Sequence, residues 1–66
     1  MTREELLKAV LEVLENTPGS TAKEIRKKIG QGIHKKEVNS VLYGAAKTGE
    51  VRKEDTGKAP RWHVAA

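Results

Sequence analysis

The chain contains no cysteine, no phenylalanine, one tyrosine and one tryptophan in 66 residues. Without cysteine there is neither a disulfide framework nor a thiolate metal site, so a fold of this size has to be stabilised by packing alone. Domains this short bury only about 60% of the surface that their unfolded chains expose. Leu, Ile and Val number 14, just above the roughly 20% of a chain below which sequences usually stay disordered. Hydrophobic periodicity therefore decides whether it folds. No apolar run approaches the about 20 residues of a membrane span, and the start Met1-Thr2-Arg3-Glu4-Glu5 is too acidic for a signal or transit peptide. The expectation is one domain over residues 1–66, soluble and intracellular in cytoplasm or nucleus, or an excerpt of a longer protein. A two-domain enzyme is excluded by length.

What the chain does have is positive charge. Thirteen Lys and Arg face nine Asp and Glu, a formal +4, and the isoelectric point is near 9.6. Residues 1–33 carry a net +1 and residues 34–66 a net +3. Such a balance suits a polyanionic partner, and it places the electrostatic end in the second half.

Thr2-Arg3-Glu4-Glu5 is a capping box, followed by Leu6, Leu7, Val10, Leu11 and Leu14 at helical spacing. The pattern predicts a first helix from Arg3 to about Glu15, ended by Asn16 to Gly19. Thr21-Ala22-Lys23-Glu24 repeats the capping logic for a short second helix with Ile25 and Ile29 on one face and a stop at Gly30. After the joint Gly30-Gln31-Gly32, Lys35 to Thr48 shows Val38, Val41, Leu42, Ala45 and Ala46 at helical spacing, and Gly49 ends it. From Glu50 the period changes to two through Val51 and Lys53. A turn over Asp55-Thr56-Gly57-Lys58 and a second strand through Arg61, Trp62, His63 and Val64 complete a hairpin. Three helices followed by a C-terminal hairpin read as a small α+β winged helix-turn-helix, with the third helix presented and the hairpin as its wing.

On another side of the third helix from its apolar set, Lys35, Asn39 and Tyr43 stack at i, i+4, i+8, with Lys36 and Ser40 alongside. A cation, an amide and a phenol in one row supply a phosphate donor, a two-way hydrogen-bonding group and a flat surface for a base. The plainer reading is a solvated face that happens to carry two lysines. Tyr43 and Trp62 equally suit core anchors in a domain short of large hydrophobes, and both roles coexist if Trp62 buttresses Tyr43 and holds its phenol in one rotamer. His34 reads as a helix-start residue, and His63 as a strand residue on the face opposite Trp62. No nucleophile, base and orienting acid fall at catalytic spacing, and no ligand set for zinc exists, so neither an enzyme nor a cofactor is expected.

Lys35-Lys36-Glu37-Val38-Asn39-Ser40-Val41-Leu42-Tyr43, followed by Pro60-Arg61-Trp62, closely resembles the signature of Z-alpha domains, winged-helix modules that bind left-handed Z-DNA and Z-RNA. Thr21-Ala22-Lys23-Glu24-Ile25 resembles the start of that family's second helix, and the likeness spans nearly the whole chain. Members occur in interferon-induced RNA-editing adenosine deaminases, a cell-death sensor of Z-form nucleic acid, a fish antiviral kinase and viral antagonists of these. The resemblance implies that Lys35 and Asn39 hold zigzag phosphates directly or through water and that Tyr43 packs on a syn guanine. It further implies a backbone contact from Lys36 and a wing contact from Pro60. Trp62 would order water and support Tyr43. The partner implied is a CG-repeat-favouring Z-form duplex, with a monomeric free domain and two domains on one short duplex.

This sequence departs from the family pattern in places. Ser40 stands where several members carry a longer basic residue, and Ala59 where a second wing proline is common. The Gly30-Gln31-Gly32 joint and the wing turn are longer. Lys58, rather than Arg61, is expected to restore phosphate contact from the wing, while Arg52 and Lys53 are expected to be offset by Glu50, Glu54 and Asp55. Two rival functions remain at this level. A winged helix reading right-handed DNA would want Arg or Gln on the third helix, which offers only Asn39. A protein-interaction winged helix would dock an acidic surface through the same basic face.

Overall fold

Two threonines open the first two helices in the same way. Thr2 Oγ1 accepts from the Glu5 backbone N–H at 3.1 Å while the Glu5 carboxylate accepts from the Thr2 N–H at 3.0 Å. Thr21 and Glu24 repeat the exchange at 3.3 and 2.9 Å. These bonds satisfy N–H groups that a helix start would leave orphaned. In the computed structural model, which describes residues 2–30, 32–55 and 57–65, α1 spans Arg3–Asn16, α2 Ala22–Ile29 and α3 Lys35–Lys47. The hairpin strands β1, Val51–Glu54, and β2, Arg61–Val64, follow. Gln31 of the joint and Thr56 of the wing turn lie outside the described residues, as do Met1 and Ala66.

The expected boundaries shift by one residue at two ends. α1 continues to Asn16, whose amide donates to Glu12 O at 3.0 Å, and Thr17 then closes the helix by donating from both N–H and Oγ1 to Val13 O. α3 stops at Lys47, where Thr48 Oγ1 donates to Ala45 O at 3.0 Å. Gly30 and Gly32 flank the joint with φ of 65° and 68°, the left-handed region that favours glycine. Between joint and α3, Ile33 is buried; it lacks periodic neighbours, and no sequence pattern marks it.

The strands pair antiparallel with Val51 opposite Val64 and Lys53 opposite Trp62. On the outer edge of β2, Gly19 N–H donates to Trp62 O at 2.9 Å and Trp62 N–H donates to Ser20 O at 3.0 Å. This single bridge ties the α1–α2 loop to the wing and buries Ser20. Only Val51 of β1 is buried, so the wing extends beyond the core.

The core draws Leu6, Val10 and Leu14 from α1, Ala22 and Ile25 from α2, Val38, Val41, Leu42 and Ala45 from α3, and Val51 and Trp62 from the hairpin. Leu7, Leu11 and Ala46 pack half-buried against it. The fold is the three-helix, two-strand winged helix expected from the periodicity. Its consequence for function is that α3 and the wing share one side of the molecule.

Candidate nucleic-acid interface

Burial of Val38, Val41, Leu42 and Ala45 fixes the rotation of α3 about its axis, and that rotation aims the Lys35, Asn39 and Tyr43 row outward. Lys35 is exposed and Asn39 half-buried. Tyr43, at 46%, is the large hydrophobic side chain that remains exposed. Across from this row the wing brings Lys58, Ala59 and Pro60, and the start of α2 brings Thr21, Ala22 and Lys23. Together they bound a shallow groove of about 360 Å³. Six of the expected contact residues, from α3 and the wing, thus meet at one feature.

Tyr43 is held rather than free. Its ring meets Trp62 edge-on, with centroids 5.3 Å apart and planes at 89°, a favourable arrangement for aromatic quadrupoles. Lys53 Nζ lies 5.2 Å from the Tyr43 centroid, within cation–π range. Period-two alternation explains this: Lys53 shares the side of the buried Val51 and pairs across the sheet with Trp62. Both roles weighed for Trp62 coincide, since it is fully buried and buttresses Tyr43. Direct contact between its ring and a ligand is therefore closed off. Its indole Nε1 is buried without a hydrogen-bond partner among the described residues.

The remaining expected residues fall differently. Lys36 and Ser40 are exposed beside the main row but border a separate groove between α1 and α3. Ser40 Oγ accepts from Arg3 Nη1 at 3.2 Å, and Ser40 O accepts from Nη2 at 3.3 Å. Arg61 Nη1 donates to Gly19 O at 2.9 Å, which occupies it at the α1–α2 loop and leaves Lys58 as the wing cation at the groove. The expectation that Glu54 offsets Lys53 is corrected: Lys53 shares the face of Trp62, whereas Glu54 and His63 lie on the opposite face, where Glu54 Oε1 is 3.0 Å from His63 Nε2. Asp55 does reach Lys53, at 3.6 Å.

Lys23 and Lys53 were not marked by the sequence as interface residues. A signal for Lys23 existed in the exposed first turn of α2, whereas that for Lys53 required knowing the hairpin register. Glu24 also stands near this edge. Its carboxyl is held below the ordinary value of 4.5, chiefly by the Thr21 backbone N–H, then by the Thr21 hydroxyl, with smaller help from Arg61 and Lys28. The groove edge at α2 thus carries a fixed cap as well as a free lysine. Among the described residues, no group of three or more His, Asp or Glu is placed to hold a metal.

A family model described as the adenosine deaminase z-alpha domain matches residues 2–66. The chain belongs to the Z-alpha domain family. Solved Z-alpha structures share its architecture over almost their whole length. The domain from Carassius auratus PKZ, solved in complex with Z-DNA, is 26% identical and superposes with a TM-score of 0.83 over 94% of this chain and 95% of that one. The zebrafish PKZ domain without ligand is 25% identical, with a TM-score of 0.86 over 97% of each chain. The ORF112 domain of Cyprinid Herpesvirus 3, whose binding mode to Z-DNA is solved, is 31% identical, with a TM-score of 0.80 over 92% of this chain and 93% of that one. No curated protein sequence matches the chain. Within the Z-alpha family frame, the row on α3 and the wing groove are the features to which a function must attach.

Proposed function

We propose that this Z-alpha domain binds left-handed Z-form double-stranded nucleic acid, DNA or RNA, and shifts the right-handed to left-handed equilibrium of CG-repeat duplexes. The observation that carries the reading is Tyr43, half-exposed yet fixed between Trp62 and Lys53, beside Lys35 and Asn39 and across a groove from Lys58 and Pro60. A phenol held in one orientation meets a base face with little ordering cost. Lys35 and Lys58 bracket it with charge for phosphates on either side. Asn39 donates to one phosphate oxygen or to a bridging water.

No catalytic step is involved. A domain that binds one conformer better than another moves their equilibrium by its differential affinity. Shape discriminates here, because α3 lacks the arginine and glutamine side chains that read base edges in a major groove. The free domain acts as a monomer, two copies occupy one short duplex, and the setting is cytoplasmic or nuclear. Titration of an alternating CG duplex followed by circular dichroism tests the reading. The expected result is inversion of the long-wavelength bands, with a random-sequence duplex unchanged. A CG duplex that stays right-handed at saturating protein overturns it.

A further inference from the structure

The row beside Lys35, Asn39 and Tyr43 consists of Lys36, Ser40 and Gly44, again at i, i+4, i+8. Its two later members are small, and the hollow over them is filled from another element. Arg3 reaches across from the first residue of α1, donating Nη1 to Ser40 Oγ at 3.2 Å and Nη2 to the Ser40 carbonyl at 3.3 Å. The fit depends on Gly44: a Cβ there would lie 2.7 Å from Arg3 Nη2 and meets no other group closer than the Arg3 guanidinium carbon at 4.0 Å.

This guanidinium is anchored but not neutralised. Among the described residues Lys53 pairs with Asp55, and His63 Nε2 lies 3.0 Å from Glu54 Oε1. Glu37 borders the same groove, of about 460 Å³, without pairing with Arg3. Arg3 is exposed, and two of its five N–H groups are engaged by Ser40, which leaves three. A planar fork with free donors, fixed on the outer face of a helix one turn from Lys36, is suited to the two oxygens of a phosphate.

We propose that Arg3 is a phosphate-binding residue which α1 contributes to the α3 interface, held in position by Ser40 and by the absence of a side chain at Gly44. It makes the second row of α3 a charged one, Lys36 followed by Arg3, and widens the footprint on a nucleic-acid backbone toward α1. The inference rests on the Z-form duplex binding proposed above.

The test compares the parent domain with Arg3→Ala and Gly44→Ala on an alternating CG duplex held left-handed by base bromination, over a range of salt. Arg3→Ala is expected to weaken binding about tenfold at low salt, as for loss of one charge-assisted bond. It should also reduce the salt slope by roughly 0.9, the increment for one duplex phosphate. Gly44→Ala keeps every charge but unseats the guanidinium. It should retain the parent slope and bind roughly threefold more weakly, as when one long side chain loses its pre-ordering. Its melting temperature should not fall, since alanine is the better helix residue. An Arg3→Ala variant with lowered melting temperature but parental slope shows a helix-joining role only and overturns the proposal. A Gly44→Ala variant that binds like the parent overturns the seating. A parent that does not bind the left-handed duplex overturns the proposed function, and the role of Arg3 falls with it.

Discussion

The rings of Tyr43 and Trp62 stand at 89° with centroids 5.3 Å apart, one half-exposed and the other fully buried. The pair joins the domain's core to its groove, and the two residues have opposite expected phenotypes. Tyr43→Ala removes a surface ring, so the far-ultraviolet dichroism should stay native while conversion of a CG duplex is lost. Trp62→Ala empties the largest buried site, a change that typically costs about 3–5 kcal/mol. That is on the order of the whole stability of so small a core, so this variant should unfold. Trp62→Phe should fold with a lower melting temperature and retain part of the conversion, because an aromatic edge still meets Tyr43. Native-like conversion by Tyr43→Ala would remove the groove from the binding site.

Lys35 and Arg61 are both exposed cations on the wing side, yet only Lys35 borders the groove, while Arg61 is tied to Gly19 O. The salt dependence of binding separates them. Lys35→Ala should lower the slope of log affinity against log salt by roughly 0.9 per phosphate released. Arg61→Ala should leave the slope near the parental value and lower thermal stability slightly, through loss of its link to the α1–α2 loop. Equal slopes for Lys35→Ala and the parent would make Lys35 a solvated surface charge.

These contrasts show which parts were legible in the sequence. Capping boxes at Thr2 and Thr21 and the spacing of Leu6, Val10 and Leu14 are local signals, and they placed the helices to within one residue. Lys35, Asn39 and Tyr43 were legible for the same reason, since one helix carries all three and its apolar side orients them. Contacts between elements left no such mark. The bridge from Ser20 to Trp62, the burial of Ile33 and the seating of Arg3 on Ser40 join residues far apart in the chain or outside any periodic run. Lys53 illustrates the boundary. Its acidic neighbours suggested neutralisation, and Asp55 does pair with it, but strand register decides that it also overlies Tyr43.

Lys53 is therefore expected to act through Tyr43. An exposed cation–π contact is worth about 0.5–1 kcal/mol, so Lys53→Ala should weaken binding of the left-handed duplex by about two- to fivefold. Lys53→Arg, which keeps a cation over the ring, should restore most of it, and Lys53→Met, which keeps only the stem, should not. Isothermal titration of the three variants checks this. If Met and Arg bind alike, the charge over Tyr43 has no role.

The capping boxes give the domain a defined acid limit. The Glu5 and Glu24 carboxyls both lie below the ordinary value of 4.5 in the folded state, chiefly because each accepts from a threonine backbone N–H at its N-cap. A depressed folded pKa means that the charged form favours the fold. The stabilisation is complete above 4.5 and is lost as pH falls from there through the lowered folded values. The melting temperature should thus be level near neutral pH and decline below that point. Glu5→Gln with Glu24→Gln keeps an acceptor at each cap but cannot titrate, so the double variant should melt lower than the parent at neutral pH and show a shallower acid decline. Thr21→Ala removes the other half of one box and should lower the melting temperature by about 4–8 °C, the equivalent of about 1 kcal/mol in a domain of this size. Because Thr21 also borders the groove, fraying of α2 should weaken duplex binding in parallel. A Thr21→Ala domain with parental stability but weakened binding would instead make its hydroxyl a direct contact.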